Sequence, residues 1–549
     1  MLPLGSLKST LAGLTGLAVV LLGLSTVNGL PTKNPLTRIL AQDGHGVRTV
    51  SASNTTTTNT TTRGIVRRAE KGPENDHDTH ISLINATPYR WRKVFNSSYQ
   101  LDGWEHRWPE YIRPGQSVTV RVNLNGYGLR NRGDSAAEAT YALEGTKLAS
   151  SLQVQYRSGI PHRVYIQFRD ELQTLNNARG TEHNLGFSRT PGGVGFVLAG
   201  REGDFISNDP PLQWMQSQLA EIGELPLREI SMPRSHHAGL WKCEEVVGVA
   251  QPRNTQTHRL PLYDQLGNGG IRVLDVRPVR KHGKFRESHG SFVGGLYNGM
   301  LGATLKEMVA VLNSYMRDYP GELYIWDIHE GDARNGDHGF RAVDDDDRLA
   351  LYTELMGLDS RANVSDGEDL TRRPLSYFVQ PEQVRNGQST VLIRLPTSWA
   401  TKKHFPGAQH GFVSGINFPL RSHWSETNKE KQMVADQIES LKQARPSRGA
   451  EMFNMDWLLT QKGAQAAFPM ALESIIEMSG GAWKTLYGEG FWNQLSDSTY
   501  PNMITMDDIH GNQQKAMAMV INKCLAARRC GDLGGMVKME PEETVSSDQ

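Results

Sequence analysis

Two histidines and one arginine of this chain have the residue types needed to cleave a phosphodiester, namely His236, Arg277 and His289. One imidazole can take a proton from the attacking oxygen while the other gives a proton to the leaving oxygen. A guanidinium beside them can hold the negative charge of the phosphoryl group. These residues predict phosphodiester chemistry, provided that the fold brings them to one place.

Further ionisable residues stand where apolar runs of the sequence end. A single residue of this kind usually has a structural role, as a hydrogen-bonded histidine or as half of a salt bridge. Several of them at successive run ends instead favour a shared site. The additional candidates are His237 after the first run, Asp275 in the second, His329 after a later one and Asp507 after the last.

The apolar runs themselves indicate parallel strands that are covered on both faces. They alternate with amphipathic helices, two of which we predict to begin at capping boxes, at Thr304 to Glu307 and at Thr427 to Glu430. This pattern predicts an α/β fold, a (β/α)8 TIM-like barrel over residues 205–535, with a doubly wound sheet as the alternative. In such a barrel the site lies at the carboxyl ends of the strands. The runs are 227–232, 271–276, 323–328, 391–395, 452–459 and 503–506.

A different pattern precedes the barrel. From residue 79 to 170 apolar and polar residues alternate between turn residues, which predicts half-buried antiparallel strands and an all-β sandwich domain over residues 77–200. Its aromatic residues form either a face for lipid or sugar or part of the core, and the core is the favoured interpretation. The glycine-rich stretch 186–204 lacks the Gly-Lys-Ser/Thr of a phosphate loop, so it predicts a hairpin or a linker. The aromatic residues are Trp91, Tyr99, Trp104, Trp108 and Tyr111.

The N-terminus has the features of a secretory signal peptide, which we place at residues 1–29. Its apolar core is shorter than the ~20 residues needed by the alternative, a membrane anchor, and no later run is long enough to span a membrane. Residues 30–76 form an Asn/Thr-rich leader or pro-segment predicted to be disordered, in which Arg67-Arg68 marks a processing site or a plain linker. Residues 536–549 are predicted to be a flexible tail. We therefore expect a secreted glycoprotein, with sequons at Asn54, Asn59, Asn96 and Asn363.

The overall charge excludes a dedicated binder of nucleic acid. Lysine and arginine together number 59, as do aspartate and glutamate, so no net field draws a polyanion to the protein. The 3 cysteines cannot all pair, which excludes a disulfide scaffold. Cys524 and Cys530 can close a short loop, which leaves Cys243 as a thiol, and the sequence contains no zinc-like spacing.

Residues 225–515 resemble a known family, the X-domain class of phosphatidylinositol-specific phospholipases C, in its secreted bacterial and fungal form. The family's first motif, I-P-G-T-H-D-S, matches residues 230–238. Its D-I-R strand matches Asp275 to Arg277, and its second histidine, in an H-G pair, matches His289-Gly290. The order and spacing of the three motifs are those of the family.

The resemblance implies a role for each matched residue. His236 would be the general base on the inositol 2-hydroxyl and His289 the general acid toward the lipid oxygen, with Arg277 as the phosphate clamp. Asp507 would orient His236, and Asp275 would support Arg277 or His289. The products would be a cyclic inositol phosphate and a diacylglycerol-type alcohol.

The resemblance also bears on metals. In the calcium-dependent branch of the family an Asn, an Asp and two Glu bind the ion, and their positions hold His237, Asp275, Arg277 and His329 here. Calcium needs several oxygen ligands, so we expect no metal and no cofactor, with Arg277 supplying the positive charge. A transition metal on His237, His329 and Asp275 is the alternative, which the charge of Arg277 opposes. We assign His237, which replaces a bacterial aspartate, and His329 to substrate binding.

The leading hypothesis is a secreted phosphoric diester hydrolase that acts on a phosphatidylinositol-like phospholipid at a membrane surface. One alternative is a catalytically impaired lipid- or glycan-binding surface protein on the same barrel, because Arg234 and His237 depart from the first motif. Another keeps the enzyme but changes the substrate to a glycerophosphodiester or a sphingolipid. Enzymes of that branch use Glu and Asp metal ligands at strand ends, which are scarce in this chain.

Overall fold

The computed structural model describes residues 79–530, apart from 102, 123–133, 160, 189–191, 330, 332, 381–387, 463–472 and 493. The predicted signal peptide, leader and tail lie outside the described residues, as do Arg67-Arg68 and the sequons at Asn54 and Asn59. Within the described residues, no helix has the length and apolar character needed to cross a bilayer.

The N-terminal domain consists of strands in two sheets, ordered β10-β9-β1-β4 and β3-β2-β5-β6-β7-β8. Buried side chains of both sheets, such as Phe196 and Ile166, share one core, so the domain is a β-sandwich. The described strands are β1 Thr79–Ala86, β2 Arg90–Tyr99, β3 Tyr111–Ile112, β4 Ser117–Val122, β5 Ala136–Glu144, β6 Ser150–Arg157, β7 Arg163–Asp170, β8 Glu182–Gly186, β9 Val194–Arg201 and β10 Asp204–Ser207.

Two details of the sandwich differ from a plain antiparallel arrangement with an aromatic face. The pair β1 and β9 is parallel, whereas β9 and β10 form an antiparallel hairpin that extends to Ser207. Trp91, Trp104 and Trp108 are buried, so these three rings belong to the core. Tyr99 and Tyr111 are the exposed members of the predicted aromatic set.

The second domain is built on an all-parallel sheet of eight strands with the order β21-β20-β17-β13-β11-β24-β23-β22. The strand order follows the chain order around the sheet, as in a TIM-like barrel. The described strands after the sandwich are β11 Met232–Ser235, β12 Glu245–Val247, β13 Val273–Val276, β14 Pro278–Lys281, β15 Lys284–Val293, β16 Leu296–Thr304, β17 Leu323–Ile328, β18 Arg334–Asn335, β19 Arg341–Ala342, β20 Thr390–Arg394, β21 Phe412–Val413, β22 Leu420–His423, β23 Met452–Asp456 and β24 Met503–Met506.

The barrel is open rather than closed. No ladder joins the edge strands β21 and β22, all of whose residues are described. The segments that join β20 to β21 and β21 to β22 contain no α-helix. They consist of 3-10 turns and loops in place of the expected β/α repeats. A side sheet, ordered β12-β16-β15-β14-β18-β19, continues from β13 through the residue pair Arg277-Pro278. The structure therefore has the parallel barrel sheet that the sequence predicts, with fewer β/α repeats.

The helices are α1 Trp104–Arg107, α2 Trp214–Ser217, α3 Leu219–Ile222, α4 Leu262–Gly267, α5 Leu305–Asp318, α6 Asp345–Leu355, α7 Leu375–Phe378, α8 Glu430–Ala444, α9 Ile475–Tyr487, α10 Glu489–Trp492 and α11 Gln513–Ala527. The start of α5 is as predicted, since the Thr304 hydroxyl accepts from the main-chain N of Glu307. The predicted start of α8 was wrong, because Lys429 is its N-cap. The first strand is also displaced, since Leu227–Glu229 forms a 3-10 turn and β11 begins at Met232.

A disulfide closes a short loop at the end of the described residues. Cys524 near the end of α11 forms a disulfide with Cys530, as the short spacing allowed. Cys243 is an exposed free thiol.

Candidate active site

His236 and Asp507 form the first pair of the site. Strands β11 and β24 are parallel neighbours whose last residues, Ser235 and Met506, lie side by side. The residues that follow them therefore meet at the carboxyl end of the sheet. Nδ1 of His236 lies 2.8 Å from Oδ1 of Asp507. A carboxylate at Nδ1 favours the tautomer with the proton on that nitrogen, which leaves Nε2 as the acceptor that a general base needs.

His289 lies opposite this pair, on strand β15 of the side sheet. Its ring centre is 6.0 Å from that of His236. Its Nδ1 donates to the carbonyl oxygen of Thr255 over 2.8 Å, so Nε2 is the nitrogen left for a reacting atom. Burial and the neighbouring His236 lower the pKa of His289 to about 4, which keeps its ring neutral in the free protein at neutral pH.

Asp275 and Arg277 lie beside the two imidazoles. Nη2 of Arg277 donates to Oδ2 of Asp275 over 3.2 Å, and Nη2 of Arg234 lies 3.3 Å from the other carboxylate oxygen. Burial alone would raise the pKa of Asp275, but the two guanidiniums outweigh it and hold this pKa well below its usual range. Asp275 is therefore ionised, and it forms an ion pair with Arg277.

From the pair Arg277 and Asp275, positively and negatively charged side chains alternate across the interior of the barrel. Nη1 of Arg234 lies 2.9 Å from Asp327, and Nη1 of Arg394 lies 2.8 Å from the other oxygen of the same carboxylate. Burial again opposes ionisation, yet Arg394 and Arg234 lower the pKa of Asp327. The resulting line of charges, which we call the charged side, consists of Arg277, Asp275, Arg234, Asp327 and Arg394. Arg277 is the member of this line whose positive charge acts on His237 and His289.

His237 lies between the two other histidines. Its ring centre is 4.3 Å from that of His236 and 4.2 Å from that of His289. Oε1 of Glu287 lies 3.4 Å from Nδ1 of His237 and accepts from the main-chain N of Arg277 over 3.0 Å. Burial lowers the pKa of His237 and raises the pKa of Glu287, each well away from its usual range. Both shifts favour the uncharged forms of these groups.

Three residues of the site offer atoms to a metal ion. His236, His237 and Asp275 each have a ligand atom within 4.8 Å of the others. Calcium would require a shell of oxygens, which this set does not supply. Asp275 is moreover bound by two guanidiniums, so a divalent cation on it would lie against two positive charges. The side chains present do not fit a metal site.

The structure brings most of the predicted site residues to one rim: His236, His237, Asp275, Arg277, His289 and Asp507. His329 follows β17 at the same edge of the sheet, and its main-chain N donates to the carbonyl of Val276 over 3.1 Å. Its side chain is exposed. The sequence predicted these positions from strand ends, and the parallel sheet explains why strand ends meet.

Sequence reasoning missed several residues that contact this rim. Arg394 closes an apolar run, so the rule used for the other candidates would have identified it. Glu287 lies two residues before His289, but its sequence position gives no sign of its burial. Thr255 and His258 lie in a loop, and no pattern in the sequence singles them out.

Comparisons with known proteins give only remote likenesses. No protein-family model matches the chain, and no curated protein matches it. One similar solved structure, from work on membrane binding by the phosphatidylinositol-specific phospholipase C of S. aureus, is 12% identical with a TM-score of 0.39, over 58% of this chain and 98% of that one. Another, the phosphatidylinositol-specific phospholipase C of Listeria monocytogenes, is 12% identical with a TM-score of 0.34, over 55% of this chain and 95% of that one.

Since unrelated activities share barrel folds, the side chains of the site must decide the function.

Proposed function

We propose that this protein is a phosphodiesterase of the phosphatidylinositol phospholipase C type, which cleaves the head group of a phospholipid without calcium. The observation that carries the proposal is the pair His236 and Asp507 facing His289, with ring centres 6.0 Å apart. A base oriented by a carboxylate and a second imidazole at this separation can act on the two oxygens of one phosphodiester. The positive charge of Arg277 acts on His289 and on His237, the ring between the two.

The reaction uses one proton acceptor and one proton donor. His236 takes the proton of the inositol 2-hydroxyl through Nε2, and that oxygen forms a bond to phosphorus. The bond from phosphorus to the diacylglycerol oxygen breaks, and protonated His289 gives its proton to that oxygen. Although the pKa of His289 is about 4 in the free protein, an anionic phosphodiester beside the ring would raise it. The products are a cyclic inositol phosphate and diacylglycerol.

Arg277 supplies the charge that holds the phosphoryl oxygens. Its guanidinium is partly exposed at the rim, whereas Asp275 behind it is buried. Arg234 and Asp327 continue the ion pairs inward from Asp275, and Arg277 lies at the rim end of this line of charges. This arrangement supports catalysis without a metal, because a fixed guanidinium can stabilise the negative charge that a calcium ion would otherwise meet.

An apolar rim supports a lipid rather than a soluble diester as substrate. Three exposed side chains lie at the tip of the hairpin that also carries His289: Phe292, Val293 and Leu296, the last with 74% of its surface exposed. Ile416 and Trp424, which follow β21 and β22 at the carboxyl end of the sheet, are exposed as well. Exposed apolar side chains on the hairpin of His289 and after two barrel strands favour contact with a lipid surface.

The activity is tested with purified protein and detergent-dispersed phosphatidylinositol, with release of inositol phosphate as the readout. We expect equal turnover with and without a chelator. His236→Ala and His289→Ala should each abolish turnover while leaving the unfolding transition in place. Retained activity in both variants, or loss of activity on chelation, would contradict the proposal.

The substrate class has its own test at the apolar rim. The double change Phe292→Ser and Leu296→Ser should reduce turnover of phosphatidylinositol in vesicles severalfold. The same variant should cleave a short-chain, monomeric phosphatidylinositol at the unchanged rate, because the rim lies outside the reacting groups. Equal losses on both substrates would argue against a lipid surface.

A second candidate function is a lipid- or glycan-binding protein with impaired catalysis. His237 favours it, because this buried ring fills the space between the two other imidazoles. Binding of vesicles without release of any phosphorylated product would support this candidate.

Secretion and glycosylation remain predictions. The side chain of Asn363 is exposed in this fold, so the presence of glycan at this residue is a direct check.

A further inference from the structure

One loop segment contacts both sides of the proposed proton-transfer site. We call residues 255–259, which lie between β12 and α4, the strap. The carbonyl of Thr255 at its start accepts from Nδ1 of His289 over 2.8 Å. The carbonyl of Thr257 accepts from the main-chain N of Asp508 over 2.7 Å, directly after the carboxylate that orients the proposed base. The strap thus touches the chain on both sides of the site.

His258 makes the central contacts of the strap. Its Nε2 lies 2.6 Å from the main-chain carbonyl of His236 and 2.9 Å from the hydroxyl of Ser235. Its Nδ1 lies 3.4 Å from the main-chain N of Ile509. The ring is fully buried. It therefore connects the loop after β11, which carries the base, with the loop after β24, which carries Asp507.

The hydrogen bonds around His258 allow only one assignment of its protons. A carbonyl oxygen can only accept, so Nε2 carries a proton and donates to His236. A main-chain N–H can only donate, so Nδ1 is unprotonated and accepts from Ile509. The Ser235 hydroxyl donates to Oε1 of Gln265 over 2.6 Å, which leaves its oxygen free to accept from His258 as well. The ring is neutral, in line with a pKa that burial lowers to about 4.

We propose that His258 is a positioning residue for the reaction, which holds the main chain of His236 in register with Asp507 while the same strap holds His289. This inference rests on the proposed function. Misplacing a reacting group by a fraction of its contact distance lowers turnover strongly without changing substrate affinity as much. His258 touches no reacting atom, so its role is exerted through the position of His236 alone.

Substitutions at residue 258 separate positioning from simple burial. The amide nitrogen of glutamine reaches the place of Nε2, so His258→Gln keeps the donor to His236. His258→Asn can reach only the place of Nδ1, and His258→Phe keeps the ring shape but removes both nitrogens. With phosphatidylinositol as the probe, we expect kcat to fall by about 10-fold to 100-fold in the Asn and Phe variants with KM within about twofold. The Gln variant should recover most of the rate.

A matched control removes a histidine elsewhere. His183 of β8 belongs to the sandwich and faces Asp209 and Asn512, and His183→Gln should leave kcat within about twofold of the parent. If His258→Phe does not fold, the contrast between the Gln and Asn variants decides. Equal kcat in these two variants would overturn the inference.

A readout without turnover tests the same inference. In histidine-labelled protein the Nδ1 proton of His236, hydrogen-bonded to Asp507, should give a downfield NMR signal. We expect that signal to shift in His258→Asn and to stay in place in His258→Gln. An unchanged signal in both variants would overturn the positioning role. If His236→Ala were active, the proposed function would fail instead, and the NMR result would still stand on its own.

Discussion

On one side of the site the buried ionisable groups are charged, and on the other side burial favours their uncharged forms. On the charged side, Asp275 and Asp327 are buried but ionised, because each lies against two guanidiniums. The other side, which we call the neutral side, consists of His237, Glu287, His289 and His258. Burial there shifts every pKa toward the uncharged form.

The difference shows what burial alone does and what a partner adds. Desolvation penalises the charged form of any group, so burial raises the pKa of a carboxyl such as Glu287. The same penalty acts on Asp275, a few ångströms away, but two cations outweigh it. The site thus places an ionised carboxylate with its guanidiniums next to an imidazole, His289, whose low pKa keeps it neutral at pH 7. Removing an ionisable group should therefore lower the free energy of unfolding strongly on the charged side and little on the neutral side.

The largest effect is expected from Asp275→Asn, which breaks the charged side. Arg234 is buried and would lose one of the two carboxylates with which it forms ion pairs, keeping Asp327. Breaking a buried pair on one side typically costs about 3–5 kcal/mol, and we expect this loss in the free energy of unfolding measured in urea. Asp345→Asn is the control, since the carboxylate of Asp345, which pairs with Arg348 in the first turn of α6, is half exposed and its loss should matter far less. Equal effects of the two changes would remove the distinction between buried and exposed pairs.

The charged side also shows how far the sequence alone reaches. Asp275, Arg277 and Asp507 could be predicted, because a parallel sheet gathers the residues at its strand ends and apolar runs mark those ends. Arg234 was seen only as a departure from a motif, since its partners Asp275 and Asp327 come from other strands. Pairing between strands depends on their order in the sheet, which the run pattern does not contain.

The neutral side could be predicted far less well. Thr255 contacts His289 through its own main-chain oxygen, and the ring of His258 contacts the main-chain oxygen of His236. Such contacts with the main chain leave no residue pattern in the sequence. The opening between β21 and β22 was missed for a related reason. Two-residue strands such as β21 have no periodicity that could be recognised.

The next largest effect is expected from Arg277→Met, which removes the cation facing the substrate. Loss of one preorganised donor to a developing oxyanion usually lowers kcat by about 10²–10³-fold, and we expect this loss in phosphatidylinositol turnover. Asp275 keeps Arg234, so the protein should still fold. Arg277→Lys should lose less, because it keeps the charge but not the planar fork. A Met variant with parent-like kcat would show that another cation holds the phosphate.

An intermediate effect is expected from the pH dependence of stability on the neutral side. The pKa of His258 is about 4 in the folded protein and about 6.5 in an unfolded chain. Between these values the unfolded chain binds a proton that the folded protein does not, so stability falls as the pH drops from 6.5 to 4. His258→Gln removes this contribution, which is about 3 kcal/mol over the window. Urea unfolding of both proteins at pH 4.5 and 7 measures it, and parallel curves would contradict a neutral His258.

The smallest effect is expected from Glu287→Gln, which tests whether this carboxyl is uncharged. A protonated glutamic acid and a glutamine have the same charge and shape, so the free energy of unfolding at pH 7 should change by less than about 1 kcal/mol. The glutamine oxygen can still accept from the main-chain N of Arg277, whereas Glu287→Leu loses this acceptor and should cost about 1–3 kcal/mol. A loss in the Gln variant as large as that of Asp275→Asn would mean that Glu287 is ionised. The buried carboxyl groups of both sides would then be ionised, and only the histidines would distinguish the neutral side from the charged side.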